Sequence, residues 1–295
     1  MIRPHSIFIV LTTDCDKCGE CSYCFYNIEP ERHVSSRLDL KTINGLFKQF
    51  ALLNIRNIYL TGGEPLLRED LEEIIACARE MGLNTFLLSN GRTLDISRAR
   101  RLESAGLDVF VMSLNGLEIT DRKSISAVSR FKHTSLSFIY VLTKGNLGHI
   151  QDVTELARAL DAGLIFQPAY IPENHPLRKK MSISNLGAFD WPKLYTELRE
   201  WAVMLGYERY LELIYDSYND RKLRPESCVM GTGAVVIDAD GSVYPCFHRR
   251  ELDCGNIFRD ELAEILHKSE KLSHELSKAQ CFGEHCVSLH THYGR

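Results

Sequence analysis

No stretch of this 295-residue chain is apolar for long enough to span a bilayer. The longest apolar run near its start, Ile7 to Leu11, is also too short for the core of a signal peptide and reads as a strand, so a cytoplasmic protein without a membrane partner is expected. Excess positive charge is missing too. With 35 Lys and Arg against 39 Asp and Glu, a formal net charge of -4 offers no broad phosphate-neutralising surface, which argues against nucleic acid as the main partner. Internal repeats and low-complexity tracts are absent. Cysteine is almost missing from the middle of the chain, where Cys77 stands alone and reads as a small buried residue.

Towards the two ends, cysteine is abundant. Of ten cysteines, four fall in one short run (Cys15, Cys18, Cys21, Cys24) and five lie beyond residue 227 (Cys228, Cys246, Cys254, Cys281, Cys286). In a reducing compartment clustered thiols bind metal more often than they pair, so two separate metal sites are the economical reading.

A composition of 44% apolar and 25% charged residues supports a full-sized core. From residue 5 to about residue 205 short apolar runs alternate with stretches of helical period, which implies parallel strands joined by helices. The strand candidates are Ser6 to Thr13, Asn57 to Thr61, Asn84 to Ser89, Asp108 to Leu114, Leu136 to Leu142 and Leu164 to Ala169. Between them Ile43/Leu46/Phe47/Phe50, Leu71/Ile74/Ile75/Ala78 and Ile150/Val153/Ala157/Leu160 recur at helical spacing, each laying one apolar stripe on the sheet. The predicted fold class is α/β, a partial (β/α)6 TIM-like barrel over residues 1–210. Pro172 to Gly187 reads as a long connection over the barrel mouth, Asp190 to Leu205 as a helix, and the charged stretch Asp216 to Glu226 as a linker. Val235-Val236-Ile237, a turn at Asp240-Gly241 and Val243-Tyr244 then form a hairpin signature, followed by a helix from about Arg259 to Leu276. Residues 211–295 are thus expected to form a small hairpin-plus-helix, cluster-binding domain.

The first cysteine run follows directly on the first strand, which places its thiolates on the catalytic face of a βα barrel. A zinc ribbon needs a spacer between its cysteine pairs, and here the pairs abut. A bacterial ferredoxin run ends in a different spacing. Thr12-x-x-Cys15 and Cys21-x-Tyr23-Cys24-Phe25-Tyr26 resemble the two halves of the radical S-adenosylmethionine (radical SAM) signature, whose usual spacing is C-x3-C-x2-C. Here a two-residue insertion gives C-x5-C through Cys15, Cys21 and Cys24; Cys18, Cys21 and Cys24 are the alternative ligand set. The resemblance implies a four-iron cluster with three protein thiolates, one iron being left for SAM.

Further strand-end motifs carry the same resemblance. Thr61-Gly62-Gly63-Glu64-Pro65 is similar to the superfamily's motif for the SAM amino group, and Ser89-Asn90-Gly91 and Ser113-Leu114-Asn115-Gly116 to its later motifs. Taken alone each is an ordinary cap or turn. The resemblance implies cofactor contacts at Gly62, Gly63, Glu64, Pro65, Ser89, Asn90, Ser113, Asn115, Arg122 and Asn146, with Gln167-Pro168 lining the substrate pocket. It also implies reductive cleavage of SAM to a 5'-deoxyadenosyl radical that abstracts a hydrogen atom from substrate, with a flavodoxin or ferredoxin as electron donor.

The second cysteine series resembles the SPASM/Twitch extension, which holds an auxiliary four-iron cluster. Cys228, Cys246, Cys281 and Cys286 are its expected ligands, with Cys254 as an alternate. Four thiolates on zinc would have the same ligand type. A peptide or protein substrate is the first expectation, by analogy with SPASM-type relatives. Small-molecule chemistry on a sugar, cyclitol or cofactor precursor is the second, favoured by a chain that begins directly on its first strand. A non-catalytic iron-sulfur or zinc protein is a remote third.

Overall fold

The computed structural model describes residues 4–28, 35–114, 122–171, 175–183, 191–204, 208–218 and 230–278. In chain order the elements are β1 (Ser6–Val10), α1 (Phe25–Ile28), α2 (Leu40–Leu52), β2 (Asn57–Thr61), α3 (Leu71–Glu80), β3 (Asn84–Ser89), α4 (Ile96–Ala105), β4 (Val109–Leu114), α5 (Arg122–Val128), β5 (Ser135–Leu142), α6 (Ile150–Ala159) and β6 (Gly163–Pro168). There follow α7 (Arg178–Met181), α8 (Trp191–Met204), α9 (Glu208–Tyr218), β7 (Ala234–Ile237), β8 (Ser242–Tyr244), β9 (Gly255–Asn256) and α10 (Leu262–Lys278).

All nine strands share one open sheet in the order β6-β5-β4-β3-β2-β1-β7-β8-β9. The six predicted βα strands pair in parallel and in sequence order, because each intervening helix returns the chain to the same end of the sheet. The partial-barrel expectation is therefore met. What the alternation does not reveal is the far side of β1. There β7 pairs in parallel with it, Ser6 opposite Ala234 and Ile9 opposite Ile237, and β8 and β9 follow antiparallel, so the hairpin continues the barrel's sheet.

Burial alternates along β2, β3, β5 and β6, and the fully buried set faces the helices. Ile58, Leu60, Leu87, Phe138, Tyr140 and Leu164 join Ile43, Phe47, Leu71, Ile74 and Val153 in one core. Burying such side chains supplies the main driving force for closing helices on the sheet, about 1.5–3 kcal/mol each. The opposite face carries Phe8, Tyr59 and Phe86 as a stacked aromatic row, with successive centroids 4.5 Å apart. Thr61, Leu88, Ser113, Ile139, Ile165 and Gln167 stay half-buried on that face. The sheet curls around it: the ring of His248, beyond β8, lies 4.0 Å from that of Tyr170, beyond β6, tilted by 38°.

Two segments differ from the sequence reading. The stretch just before the expected linker is helical through Tyr218, held by buried Tyr210, Leu211 and Ile214 at helical spacing. The last helix begins at Leu262 rather than Arg259, because the Arg259 and Asp260 amides still close a turn on the Asn256 carbonyl.

Candidate cluster and cofactor site

The cysteine run leaves the C-terminal end of β1 and folds as two local turns, the Cys18 amide donating to the Cys15 carbonyl at 3.3 Å and the Cys24 amide to the Cys21 carbonyl at 2.9 Å. Cys15, Cys21 and Cys24 are half-buried, whereas Cys18 is exposed. Burial pushes the Cys15 thiol up to about 11 and raises Cys21 and Cys24 as well. Neighbouring thiols add to the effect of burial, Cys21 on Cys15, Cys24 on Cys21 and Cys18 on Cys24. All are free thiols, the donor type that soft iron-sulfur clusters take. Among the described residues, no group of three or more His, Cys, Asp or Glu side chains is placed to hold a single metal ion.

The glycine pair after β2 packs on this run rather than standing clear of it. The Gly63 amide donates to the Thr12 carbonyl and the Glu64 amide to the Asp14 carbonyl, both at 2.7 Å. A Cβ on Gly62 would stand 2.4 Å from the Thr12 oxygen, and one on Gly63 would stand 2.1 Å from the Asp14 oxygen, so only glycine admits the approach. Pro65 is buried in a short 3-10 turn, Pro65–Leu67, that Glu64 caps.

Glu64, Ser89 and Asn90, expected to meet the cosubstrate, are committed to one another. One Glu64 carboxylate oxygen accepts from the Leu66 amide at 2.9 Å and the Ser89 hydroxyl at 2.7 Å; the other accepts from the Asn90 amide at 2.8 Å. With 1% exposure, desolvation outweighs these donors and pushes the Glu64 carboxyl up to about 7. The Asn90 side chain donates to Asp16 at 2.8 Å. Asn146 is likewise occupied, accepting from the Thr143 amide and donating to the Val141 carbonyl in the turn that ends β5. Ser113 lies half-buried on the aromatic-row face of β4, in register with Ile139. Asn115, Cys228, Cys281 and Cys286 lie outside the described residues, as does the Arg122 side chain.

Sequence reasoning missed several residues. Arg68, 1% exposed, donates to the carbonyls of Leu11 and Leu38 at 2.7 Å and forks onto Asp70 at 2.9 and 2.8 Å. It thus satisfies the backbone where β1 turns into the cysteine run. Arg92 donates to the Asp16 carbonyl at 3.1 Å and pairs with Glu20. No local pattern distinguishes these arginines from surface ones. On the hairpin side, Cys246 is half-buried against the small cluster of Phe8, Val10, Met230, Ala234 and Val236, with Phe247 beside it. Cys254, the alternate ligand, sits in the main core, 2% exposed. Arg250 pairs with buried Asp238 and stands over the rings of Phe25 and Tyr244.

A family model for the radical SAM superfamily matches residues 9–156, and one for an iron-sulfur cluster-binding (SPASM) domain matches residues 228–286. The PqqA peptide cyclase of Rhizobium meliloti (strain 1021) is 25% identical over 297 residues, covering 91% of this chain and 75% of its own length. That of Gluconobacter oxydans (strain 621H) is 29% identical over 175 residues, or 55% of this chain, and the chain spans about half, 48%, of that relative. Among solved structures, Streptococcus suis SuiB bound to precursor peptide SuiA superposes with a TM-score of 0.68 at 16% identity, across 90% of this chain and 65% of SuiB. BtrN in complex with AdoMet and 2-DOIA gives 0.54 at 16% identity, across 98% and 94%. Among the described residues, no helix is long and apolar enough to cross a membrane.

Proposed function

Because the chain belongs to the radical SAM superfamily, we propose that it abstracts a hydrogen atom from a peptide or protein substrate, with Cys15, Cys21 and Cys24 as the thiolates of its SAM-binding cluster. The observation that carries the assignment is that these three thiols are half-buried while Cys18 is exposed, in a run whose start, Thr12 to Asp14, is packed on the Gly62-Gly63 cradle. When bound, the cluster and SAM supply reductive carbon-sulfur cleavage and hydrogen-atom abstraction. The chain's part is to bind, to orient and to exclude water. The Phe8, Tyr59, Phe86 row and the half-buried Ile139 and Ile165 form an apolar face beside the site, suited to keeping a reactive species away from solvent. Thr61, Ser113 and Gln167 are polar groups on that face suited to orientation.

Cys246, Cys228, Cys281 and Cys286 are the proposed ligands of the auxiliary iron-sulfur cluster. The position of Cys246 beside Phe8 and Phe247 supports a cluster on the aromatic-row face of the sheet. A peptide substrate is supported by the relatives that are PqqA peptide cyclases and by the fold shared with SuiB, which binds a precursor peptide. A small-molecule substrate is the second reading, favoured by a similarity to BtrN that covers nearly both chains. A flavodoxin or ferredoxin is the proposed electron donor, and residues 1–210 and 211–295 the proposed division into barrel and cluster-binding parts.

The test is anaerobic reconstitution of the wild type and of cysteine variants. The wild type should hold about eight irons per chain, as two four-iron clusters, and form 5'-deoxyadenosine from SAM under strong reduction. Cys15→Ala should lose about half of that iron and all cleavage, and Cys18→Ala should keep both. The reverse pattern would reassign the ligand to Cys18.

A further inference from the structure

We propose that Asn90 is a positioning residue for the cysteine run: its hydrogen bond to Asp16 fixes the enlarged loop between Cys15 and Cys18 against the end of β3. The inference rests on the ligand assignment above.

Asp16 lies between Cys15 and Cys18, in the part of the run that the two-residue insertion lengthens. A longer loop has more conformations to lose when it is fixed, and its internal bonds here are only local turns, such as the Glu20 amide on the Lys17 carbonyl at 3.0 Å. Fixing it against the barrel needs ties to other strand ends. Those ties close a ring. The Glu64 amide, after β2, donates to the Asp14 carbonyl at 2.7 Å; the Asn90 amide, after β3, donates to the Glu64 carboxylate at 2.8 Å; and the Asn90 side chain donates back to Asp16 at 2.8 Å. Three successive strand ends are thereby linked through one carboxylate and one amide side chain.

The amide is oriented by a second bond. Its oxygen accepts from the Arg92 backbone amide at 2.8 Å, which fixes which end of the group is the donor and aims that NH2 at Asp16. Asp16 in turn depends on it. The second carboxylate oxygen of Asp16 is buried and has no hydrogen-bond partner among the described residues, so the Asn90 bond is the one tie on that carboxylate. Arg92 reinforces the contact from outside through the Asp16 carbonyl and Glu20, but at exposed positions where such pairs contribute little. The ring assigns Asn90 a role on the cluster loop that is distinct from the SAM contact its motif implies.

A charge exchange tests this. Asn90→Asp keeps an acceptor for the Arg92 amide but sets two carboxylates face to face, and should reduce the iron and sulfide of the N-terminal cluster to about half or less of wild type, with a changed EPR spectrum of the reduced protein. Combining it with Asp16→Asn rebuilds the same bond with donor and acceptor reversed, and should return cluster content and spectrum to near wild type. Full cluster content in Asn90→Asp, an exchanged pair no better than the single variant, or a defect confined to SAM affinity with the cluster intact would each overturn the proposal. The melting temperature of each apoprotein is measured alongside. Should Asn90→Asp not fold, Asn90→Ala replaces it, and full cluster content there would count against the tie. Cys15→Ala in the same series separates the two claims: a retained cluster in that variant refutes the ligand assignment, and the exchange result reports on the tie.

Discussion

The Arg250 guanidinium stands 4.9 Å above the centre of the Phe25 ring, one residue beyond Cys24, while it pairs with Asp238 on the hairpin. Phe247 approaches the same ring at 5.9 Å and Phe8 at 5.4 Å, so the loop that carries Cys246 is packed directly on the segment that carries Cys24. The contact joins the two cysteine regions that the sequence keeps far apart.

Asp238 is 5% exposed at its side chain and Arg250 10%, and burial raises the Asp238 carboxyl against the pull of its partner. Removing only one charge leaves the other buried and unpaired, so Arg250→Met should destabilise the protein by about 3–5 kcal/mol. Arg250→Met combined with Asp238→Asn should recover most of that loss. Denaturant unfolding of the apoproteins checks it; equal losses in the single and double variants would contradict the clamp.

At Arg68 the geometry is a planar fork with two carbonyls and one carboxylate to satisfy. A lysine has the charge but not the fork, so Arg68→Lys should be nearly as damaging as Arg68→Met, each by about 2–4 kcal/mol. Full stability in Arg68→Lys would show that charge alone suffices at the end of β1.

Glu64 gives a pH signature. Its folded carboxyl is held at about 7 against an ordinary 4.5, so the stability it contributes is fully present below 4.5 and is lost as pH rises through 7. The difference in unfolding free energy between wild type and Glu64→Gln should therefore move against the wild type between pH 5 and pH 8, by up to about 3 kcal/mol. Apoprotein melts across that range read it, and a difference that moves toward the wild type would contradict the sign.

Glycine positions give opposite outcomes. Gly63→Ala should block the approach of the cysteine run and abolish iron loading, because the new Cβ would meet the Asp14 carbonyl. Gly45, inside α2 with nothing within 4 Å of an added Cβ, should instead gain about 0.5–1 kcal/mol on becoming Ala. Iron content and thermal melting separate the two.

The parallel strands were legible in the sequence because each pairs with its neighbour in the chain, and the apolar stripe of each helix has a period that needs no partner to be read. The cysteine run and the Gly-Gly-Glu turn stood out by residue type and spacing. The hydrogen bonds of Glu64, Ser89, Asn90 and Asn146 did not, since a motif names residue types and not their partners, which for Asn90 and Asp16 lie 74 positions apart. Arg68 and Arg250 were invisible for the same reason. The helix Glu208–Tyr218 was missed because its buried face comprises few residues within a strongly charged stretch.

The pairing of β1 with β7 has a consequence for how the molecule is made. During synthesis the strand that leads into the cysteine run emerges long before β7, and one of its two edges stays open until residues 234–237 have left the ribosome. Such a distant pairing is slow to form and exposes the nascent sheet to wrong partners in the meantime. Until then the segment that enters the cysteine run rests on a strand paired on one side alone, with β2.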